Sequence, residues 1–566
     1  MKHILVLATL LSAGTVSGGP ASAASLAEIA RAHYHAEWAA DPVDATMEGV
    51  HDGDARLNDV SEQFIATQTL RLHAEQEELQ ALDMSGASLQ EKDDRDILLA
   101  SLKGELLLNE VIKPYRHDPD HYIYLVTNSL YGLIARNYAT PEARMKAAIA
   151  RLRQFPAFLS AAPKQLDHVP AVFIEVADED LLGALGFIGN DVPTAFSDVH
   201  NPQLQSEPAN AGRDAVAALQ HFRSFLLQLK PDGNFVLGRE AMKTLLAADM
   251  VDAPPETIIS LGEQNLEKDR ADFLQVAAQI DPKHPMSALQ EIRQDHPSLQ
   301  NLIPTALSQL KELQDFVIAH HLVTLPSLVL PEVVATPPFE QALISAATEW
   351  PGPFEKTFLP SFYDITPPSP ALTPLQAEEA LEDFNRPALL NTTIHEVMPG
   401  HFVQGLYLYA HPEWSLIRRG ANSYTTTEGW AHYGEQMMVE QGADDHSPAL
   451  HLMQLQDAVL RDCRLLVSFG MHMQGMSLLQ ATQMMETRCF QSPAAAYREA
   501  RRGTVDPGYF SYTLGKLMIL KLRKDLQQKQ GNSFSLQKFH DAIMGSGLVP
   551  LRAIRREMTG QDGDLL

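Results

Sequence analysis

The chain has 566 residues, of which 45% are hydrophobic and 20% are charged, so the sequence can form a sizeable core. Its net charge of −27 repels nucleic acid and anionic lipid, and both are excluded as expected partners. Beyond the N-terminus, no apolar stretch reaches the roughly 20 residues of a membrane span, and we expect none in the mature chain.

The N-terminus has the pattern of a secretory signal peptide. Lys2 precedes an apolar run from Ile4 to Val16, and small residues then lead to an A-x-A pattern that ends at Ala23. The run is too short for a membrane anchor, which favours cleavage after Ala23. We expect residues 1–23 to be removed and the mature protein to be exported, either to a bacterial periplasm or out of the cell.

Most of the chain before residue 320 is predicted to be helical, because apolar residues recur near the helical period. Residues 115–124 are aromatic and interrupted by Pro119, and are predicted to be irregular. The predicted helical segments are 26–82 (with a polar loop at 49–59), 93–111, 141–155, 208–229, 238–247, 255–273 and 301–320.

The pattern changes at Leu322. Residues 322–334 are β-rich and contain prolines, which predicts short edge strands, and 363–368 predict a further strand and turn. The segment 322–366 could line a cleft or act as a connector. After Pro374 the helical pattern returns. The predicted fold is therefore mainly α with a small β element, in a single domain over residues 24–566. Its helical N-terminal part covers about 24–320 and its catalytic part about 321–566.

A candidate metal site lies between Asn391 and Gln404. A His-Glu pair with a second His nearby, here His395, Glu396 and His401, is typical of a zinc site with an adjacent general base. The second His is six residues after the first, and on an unbroken helix it would point away from it. The intervening Pro-Gly pair, residues 399–400, ends the helix and can turn His401 back towards the same ion.

A catalytic zinc takes three protein ligands and leaves one position for water. Glu428, His432 and Glu435 share one face of a predicted helix, and aromatic neighbours indicate a buried site rather than a solvated face. We predict that the third ligand lies in this segment, on a helix that packs against the kink.

The segments 395–404 and 428–435 resemble the two signature motifs of the bacterial domain of unknown function family 885. The resemblance extends over most of the mature chain, with further matches at residues 45–49, 56–59 and 506–516. Members of this family are regarded as zinc metallopeptidases, similar to thimet-oligopeptidase-like and helical carboxypeptidase folds.

The resemblance implies that His395, His401 and Glu428 hold Zn²⁺, with Glu396 as general base for the zinc-bound water. His432 departs from the family pattern, in which an apolar residue is usual. Whether His432 or Glu435 also joins the metal shell is therefore open.

Further site residues are expected from the C-terminal segments. Similar helical peptidases use a tyrosine from a C-terminal motif as oxyanion donor, which makes Tyr512 the candidate and Tyr509 the alternative, also as a substrate-binding group. His472 could stabilise the oxyanion or lie in the core. Arg461 and Arg464 could bind a substrate carboxylate or form internal ion pairs.

The two cysteines, Cys463 and Cys489, lack zinc spacing. Export permits a disulfide between them, but with only two cysteines the sequence favours buried free thiols.

Taken together, these residues predict an exported zinc metallopeptidase of short peptides, in carboxypeptidase, dipeptidase or oligopeptidase mode. Two imidazoles and a carboxylate favour zinc over other divalent metals. One alternative is a peptide-binding protein without turnover, against which the intact set of site residues argues. Another is a zinc hydrolase of a non-peptide amide or ester. The oligomeric state is left open.

Overall fold

The computed structural model describes residues 24–201, 204, 206–337, 341, 344–357 and 359–566. The expected signal peptide lies outside these residues. The described chain is mainly α, as predicted, and contains one small sheet. None of its helices combines the length and apolar character that crossing a membrane requires.

The helices before the sheet are α1 Leu26–Ala40, α2 Pro42–Met47, α3 Glu62–Ala81, α4 Leu89–Leu107, α5 Pro114–His117, α6 Asp120–Ile134, α7 Pro141–Leu152, α8 Phe155–Gln165, α9 Ala171–Gly186, α10 Val192–Ala195, α11 Glu207–Leu226, α12 Arg239–Ala248, α13 Pro255–Ile280, α14 Ser287–Arg293 and α15 Leu302–Ala319. Those after it are α16 Pro374–Leu381, α17 Arg386–Glu396, α18 His401–Ala410, α19 Leu416–Gly420, α20 Tyr424–Glu440, α21 Ala443–His446, α22 Pro448–Met473, α23 Leu478–Arg488, α24 Pro493–Val505, α25 Ser511–Gln530, α26 Leu536–Gly545 and α27 Leu551–Thr559.

Two local predictions were wrong. Residues 115–124, predicted to be irregular, form α5 and the start of α6. Pro119 is the N-cap of α6, where the proline's missing N–H removes no helical hydrogen bond. Residues 322–330, predicted to be strands, are irregular, and the first strand begins only at Glu332. Prolines within 322–331 lack the donors that a paired strand needs.

The sheet contains β1 Glu332–Ala335, β2 Ala346–Glu349 and β3 Phe362–Ile365, in the order β1-β3-β2. The central strand β3 is parallel to β1 and antiparallel to β2. Tyr363 is fully buried, and its hydroxyl lies 3.1 Å from the Thr393 hydroxyl on α17. Thr348 donates a 2.7 Å hydrogen bond to the backbone carbonyl of Glu396. The sheet therefore packs directly against the helix that carries the candidate metal motif.

The largest hydrophobic core joins both ends of the chain, with members as distant as Ile29 on α1 and Ile554 on α27. A second core is built within residues 43–226, mainly from α6 to α11. Since α13 packs along α22, helices from the predicted N-terminal and catalytic parts share the larger core.

Cys463 on α22 and Cys489 at the end of α23 form a disulfide, with their Cα atoms 6.4 Å apart. The preference for free thiols was therefore wrong. The two helices pack side by side, which brings both cysteines together in the core, a proximity that two isolated cysteines in a sequence do not show.

Candidate metal centre

A break between two helices brings the two histidines of the motif together. Helix α17 ends at Glu396, the Met398–Pro399 peptide is cis, and α18 begins at His401. A Cβ atom on Gly400 would overlap the carbonyl oxygen of His395, so a glycine is needed for this close approach. The imidazole centroids of His395 and His401 are 4.9 Å apart and their planes are nearly perpendicular. Despite their separation by six residues in sequence, the two imidazoles therefore belong to one site.

Helix α20 packs on this break, as predicted. The Trp430 indole is fully buried and donates a 2.8 Å hydrogen bond to the carbonyl oxygen of Pro399. On its other side α20 crosses α25 at Gly429 and Gly515, where a Cβ atom on Gly429 would lie 2.5 Å from the Gly515 Cα. This close crossing places Tyr512 of α25 beside the motif.

Three ligand atoms converge in the centre. Oε2 of Glu428 lies 3.5 Å from Nε2 of His395 and 3.5 Å from Nε2 of His401. The ligand atoms of all three residues lie within 4.8 Å of one another. Oε2 of Glu428 is buried and has no hydrogen-bond partner among the described residues. Such an oxygen normally finds a partner, and an ion held by all three groups would supply one. Two imidazoles and a carboxylate fit zinc.

The other nitrogen of each imidazole is held by an outer partner. Nδ1 of His395 lies 2.6 Å from Oε1 of Glu435, and Nδ1 of His401 lies 3.0 Å from Oε1 of Gln404. Each Nδ1–H therefore donates to an oxygen, which directs Nε2 towards Glu428. This is the usual way in which proteins orient metal-binding histidines.

Glu435 belongs to this outer layer rather than to the ligand set. Its carboxylate is fully buried and contacts the guanidinium of Arg461 at 3.0 Å and the Asn391 amide at 3.3 Å, in addition to His395. Nδ1 of His432 is 3.5 Å from its second oxygen. His432 is itself fully buried, and burial together with the charge of Lys516 lowers its pKa to about 3, so the ring is neutral.

The centre has strongly perturbed acidities. Burial opposes ionisation of Glu428, but the imidazoles of His401 and His395 hold the pKa of Glu428 well below its usual range. Burial and Arg461 lower the pKa of His395, but the carboxylates of Glu428 and Glu435 outweigh them and raise it to about 9. At neutral pH the metal-free centre therefore carries an ionised carboxylate beside an imidazolium, and a metal ion would have to displace that proton.

Glu396 is buried next to the ligands. No described residue donates a hydrogen bond to its carboxylate, whereas its backbone carbonyl is held by Thr348. Its negative charge contributes to a raised pKa of His401, although burial and Glu428 act more strongly there. Its carboxylate is therefore free to accept a proton.

Tyr512 lies over His395, with ring centroids 6.3 Å apart and planes inclined by 16°. Arg502 donates a 3.2 Å hydrogen bond to the Tyr512 hydroxyl. Three guanidinium groups lie within 6 Å of its ring centroid, those of Arg461, Arg464 and Arg502. Tyr512 thus lies beside the candidate centre, and each of the three guanidinium groups is paired with a carboxylate, that of Glu435, Glu499 or Asp506.

His472 and Tyr509, predicted as site residues, are core residues instead. Nε2 of His472 lies 2.8 Å from the carbonyl oxygen of Gly503, and its ring packs on Phe235. Tyr509 is fully buried, and a Cβ atom on Gly503 would overlap its hydroxyl oxygen. Both side chains pack around Gly503 of α24. No local sequence pattern reveals this packing.

The two predicted substrate arginines are internally paired. Arg461 pairs with Glu435, and Arg464 makes a bidentate pair with Glu499 at 2.7 and 2.8 Å. Only 11% and 10% of their side-chain areas are exposed, compared with 36% for Arg502. Arg502 is the most exposed of the three, although it also contacts the carboxylate of Asp506 at 3.3 Å. No sequence pattern singled out Arg502, although it lies only four residues before the motif that contains Tyr512.

The comparisons agree with this architecture. A family model described as "Bacterial protein of unknown function (DUF885)" matches residues 42–558. A candidate lipoprotein of unknown function from Shewanella oneidensis has a solved structure with a TM-score of 0.77 and 24% identity, over 95% of this chain and 100% of that one. A candidate lipoprotein from Colwellia psychrerythraea gives a TM-score of 0.80 and 19% identity, over 94% and 98%. At these identities the likeness shows a shared fold. No curated protein matches the chain.

Proposed function

The chain belongs to the bacterial DUF885 family, and we propose that it is a zinc-dependent metallopeptidase that hydrolyses peptide bonds of short peptides. One observation carries the proposal: the unpartnered, buried Oε2 of Glu428 lies 3.5 Å from Nε2 of both His395 and His401. The charge of Glu396 acts on His401, and its carboxylate accepts no hydrogen bond from the described residues. Three ligands with a neighbouring carboxylate are the arrangement of a hydrolytic zinc site rather than a structural one.

In this proposal His395, His401 and Glu428 hold zinc, which when bound lowers the pKa of water and polarises a carbonyl oxygen. Glu396 accepts a proton from the attacking water. The water oxygen bonds to the peptide carbonyl carbon, the C–N bond breaks, and Glu396 passes the proton to the leaving amine. Tyr512 donates a hydrogen bond to the oxyanion, and Arg502 positions the tyrosine hydroxyl.

Burial of the centre supports short peptides as substrates. His395 and His401 are buried and Glu428 is only partly exposed, which suits a short flexible chain as the group that reaches them. A loop of a folded protein fits such a buried centre poorly.

We also propose that the protein acts after export, following cleavage near Ala23, in the periplasm. The pattern of residues 1–23 supports this. The description of the two structural neighbours as candidate lipoproteins is compatible with it.

Glu396→Gln tests the function directly. The purified mature wild type is expected to hold about one catalytic zinc and to cleave members of a mixed peptide library, read by mass spectrometry. The variant should keep its zinc but cleave roughly 10²–10⁴-fold more slowly, because the general base is lost. Glu240→Gln, at an exposed surface position, is the matched control and should cleave at the wild-type rate.

Zinc-loaded wild type that cleaves no peptide would refute the proposal, and cleavage of amides or esters alone would redirect it to a non-peptide hydrolase. Equal cleavage rates for wild type and Glu396→Gln would show that Glu396 is not the general base. The masses of the products also distinguish carboxypeptidase from oligopeptidase cleavage.

Tyr512→Phe is expected to lower kcat by roughly 10²–10³-fold, because one oxyanion donor is removed, while zinc content and KM change little. Tyr509→Phe is a matched control from the same motif. Its hydroxyl is buried and has no hydrogen-bond partner in the described chain, so its removal should leave kcat unchanged. Steady-state kinetics on one library-derived peptide would measure both variants. A larger loss in Tyr509→Phe than in Tyr512→Phe would contradict the assignment.

A further inference from the structure

A second group of potential ligands lies among the N-terminal helices. His33 and Glu37 are one turn apart on α1, Glu75 lies on α3 and Glu105 on α4. Ligand atoms of His33, Glu37 and Glu105 all lie within 4.8 Å of one another. The group is separate from the candidate catalytic centre, with which it shares no residue.

The imidazole of His33 is oriented as a metal ligand would be. Its side chain is 4% exposed, and Nδ1 lies 2.9 Å from Oε2 of Glu75. Nε2 faces Oε1 of Glu105 at 3.8 Å, too far for a hydrogen bond. His395 has the same arrangement, with one nitrogen held by a glutamate and the other directed at a ligand carboxylate.

The carboxylates retain unused oxygens. Oε2 of Glu105 is buried and has no hydrogen-bond partner in the part of the chain that the structure describes, and Ser101 contacts only Oε1. Arg71 pairs with Oε1 of Glu37 and with Oε1 of Glu75. Oε2 of Glu37 accepts no hydrogen bond from any residue that the structure describes. Each of the two candidate carboxylate ligands therefore has a free oxygen.

The charges favour a dication. When ionised, Glu37, Glu75 and Glu105 carry three negative charges against one positive charge on Arg71, and burial together with the charge of Glu37 raises the pKa of Glu105 to about 7. Glu48 lies nearby and accepts a hydrogen bond from the Trp38 indole N–H, and burial raises the pKa of its carboxyl. Uncompensated charge is costly at a largely buried place, so either protons or a cation must balance it.

We propose that His33, Glu37 and Glu105 form a second metal site, for a first-row divalent cation such as zinc, and that Glu75 orients His33. One imidazole and two carboxylates suit Zn²⁺ or Mn²⁺. The ion would link α1 to α4 and so stabilise the N-terminal helices. This inference does not depend on the proposed peptidase activity.

Metal counting tests the proposal without any activity measurement. Metal-free mature protein is dialysed against Zn²⁺ and the bound metal is measured by mass spectrometry. Wild type should bind two ions per chain, and Glu105→Gln and His395→Ala one each. The double variant that combines Glu105→Gln and His395→Ala should bind no ion. Glu105→Gln preserves side-chain size, and circular dichroism verifies its fold.

Thermal unfolding gives a second measurement. In the His395→Ala background, added Zn²⁺ or Mn²⁺ should raise Tm, and this rise should vanish when Glu105→Gln or His33→Ala is added. One ion in wild type and none in His395→Ala would overturn the second site in favour of a shared proton between His33 and Glu105. Two ions in Glu105→Gln would overturn the ligand assignment. Failure of the proposed function would instead appear as absent cleavage with metal still bound.

Discussion

Glu428→Gln is expected to abolish stoichiometric zinc binding at the catalytic centre. The amide lacks the negative charge that compensates the cation, and two imidazoles alone form an incomplete site. Glu435→Gln on the same face of α20 changes an equally charged, fully buried carboxylate that touches His395 only at Nδ1. It should retain zinc with affinity lowered roughly 10–100-fold, which is the usual effect of losing an outer partner. The loss in Glu428→Gln should exceed that range.

Competition with a zinc-binding dye measures both affinities, and peptide cleavage should fall in the same order. Zinc lost from Glu435→Gln but kept by Glu428→Gln would reverse the assignment of ligand and outer partner. Equal losses in both would place both carboxylates in the ligand set.

Gly400→Ala is expected to disrupt the centre more than any other single methyl group added near it. The new Cβ atom would overlap the backbone carbonyl of His395, and a backbone atom of a ligand residue cannot rotate away as a side chain does. We expect a loss of about 1–3 kcal/mol in the free energy of unfolding from overpacking, together with weaker zinc binding.

Gly434→Ala is the matched control. It adds the same methyl group to α20, where its nearest contact is the Pro399 ring at an ordinary 4.0 Å. It should keep zinc and gain up to about 1 kcal/mol of helix propensity. Urea unfolding and zinc titration of both variants provide the comparison. Unchanged zinc affinity in Gly400→Ala would show that the close approach at the break is dispensable.

The parts of the centre that the sequence could predict are local. The break at residues 399–400 explains the spacing of His395 and His401, because a proline and a glycine act on the chain immediately around them. Helical periodicity likewise placed Glu428 and Glu435 on one face of one helix. Periodicity could not choose between these two carboxylates as the candidate ligand, and the family resemblance selected Glu428. In the structure Glu428 is the one whose ligand atom lies close to those of His395 and His401.

The remaining parts depend on contacts between distant segments. His472 and Tyr509 have the same local appearance as Tyr512, and only packing around Gly503 separates core from site. The exposure of Arg502 and the internal pairs of Arg461 and Arg464 depend on which helices meet α22. The group around His33 joins side chains from three helices, α1, α3 and α4, over residues 33–105, so no spacing rule detects it.

The close crossing of α20 and α25 also bears on how the protein can move. With no side chain between Gly429 and Gly515, these two helices cannot slide past one another without collision of their backbones. Glu428 and Tyr512 therefore lie on two helices in direct backbone contact. In the proposed peptidase, we expect a substrate to enter from other sides of the centre, such as that of the sheet, while the distance between the Glu428 carboxylate and the Tyr512 hydroxyl stays nearly constant.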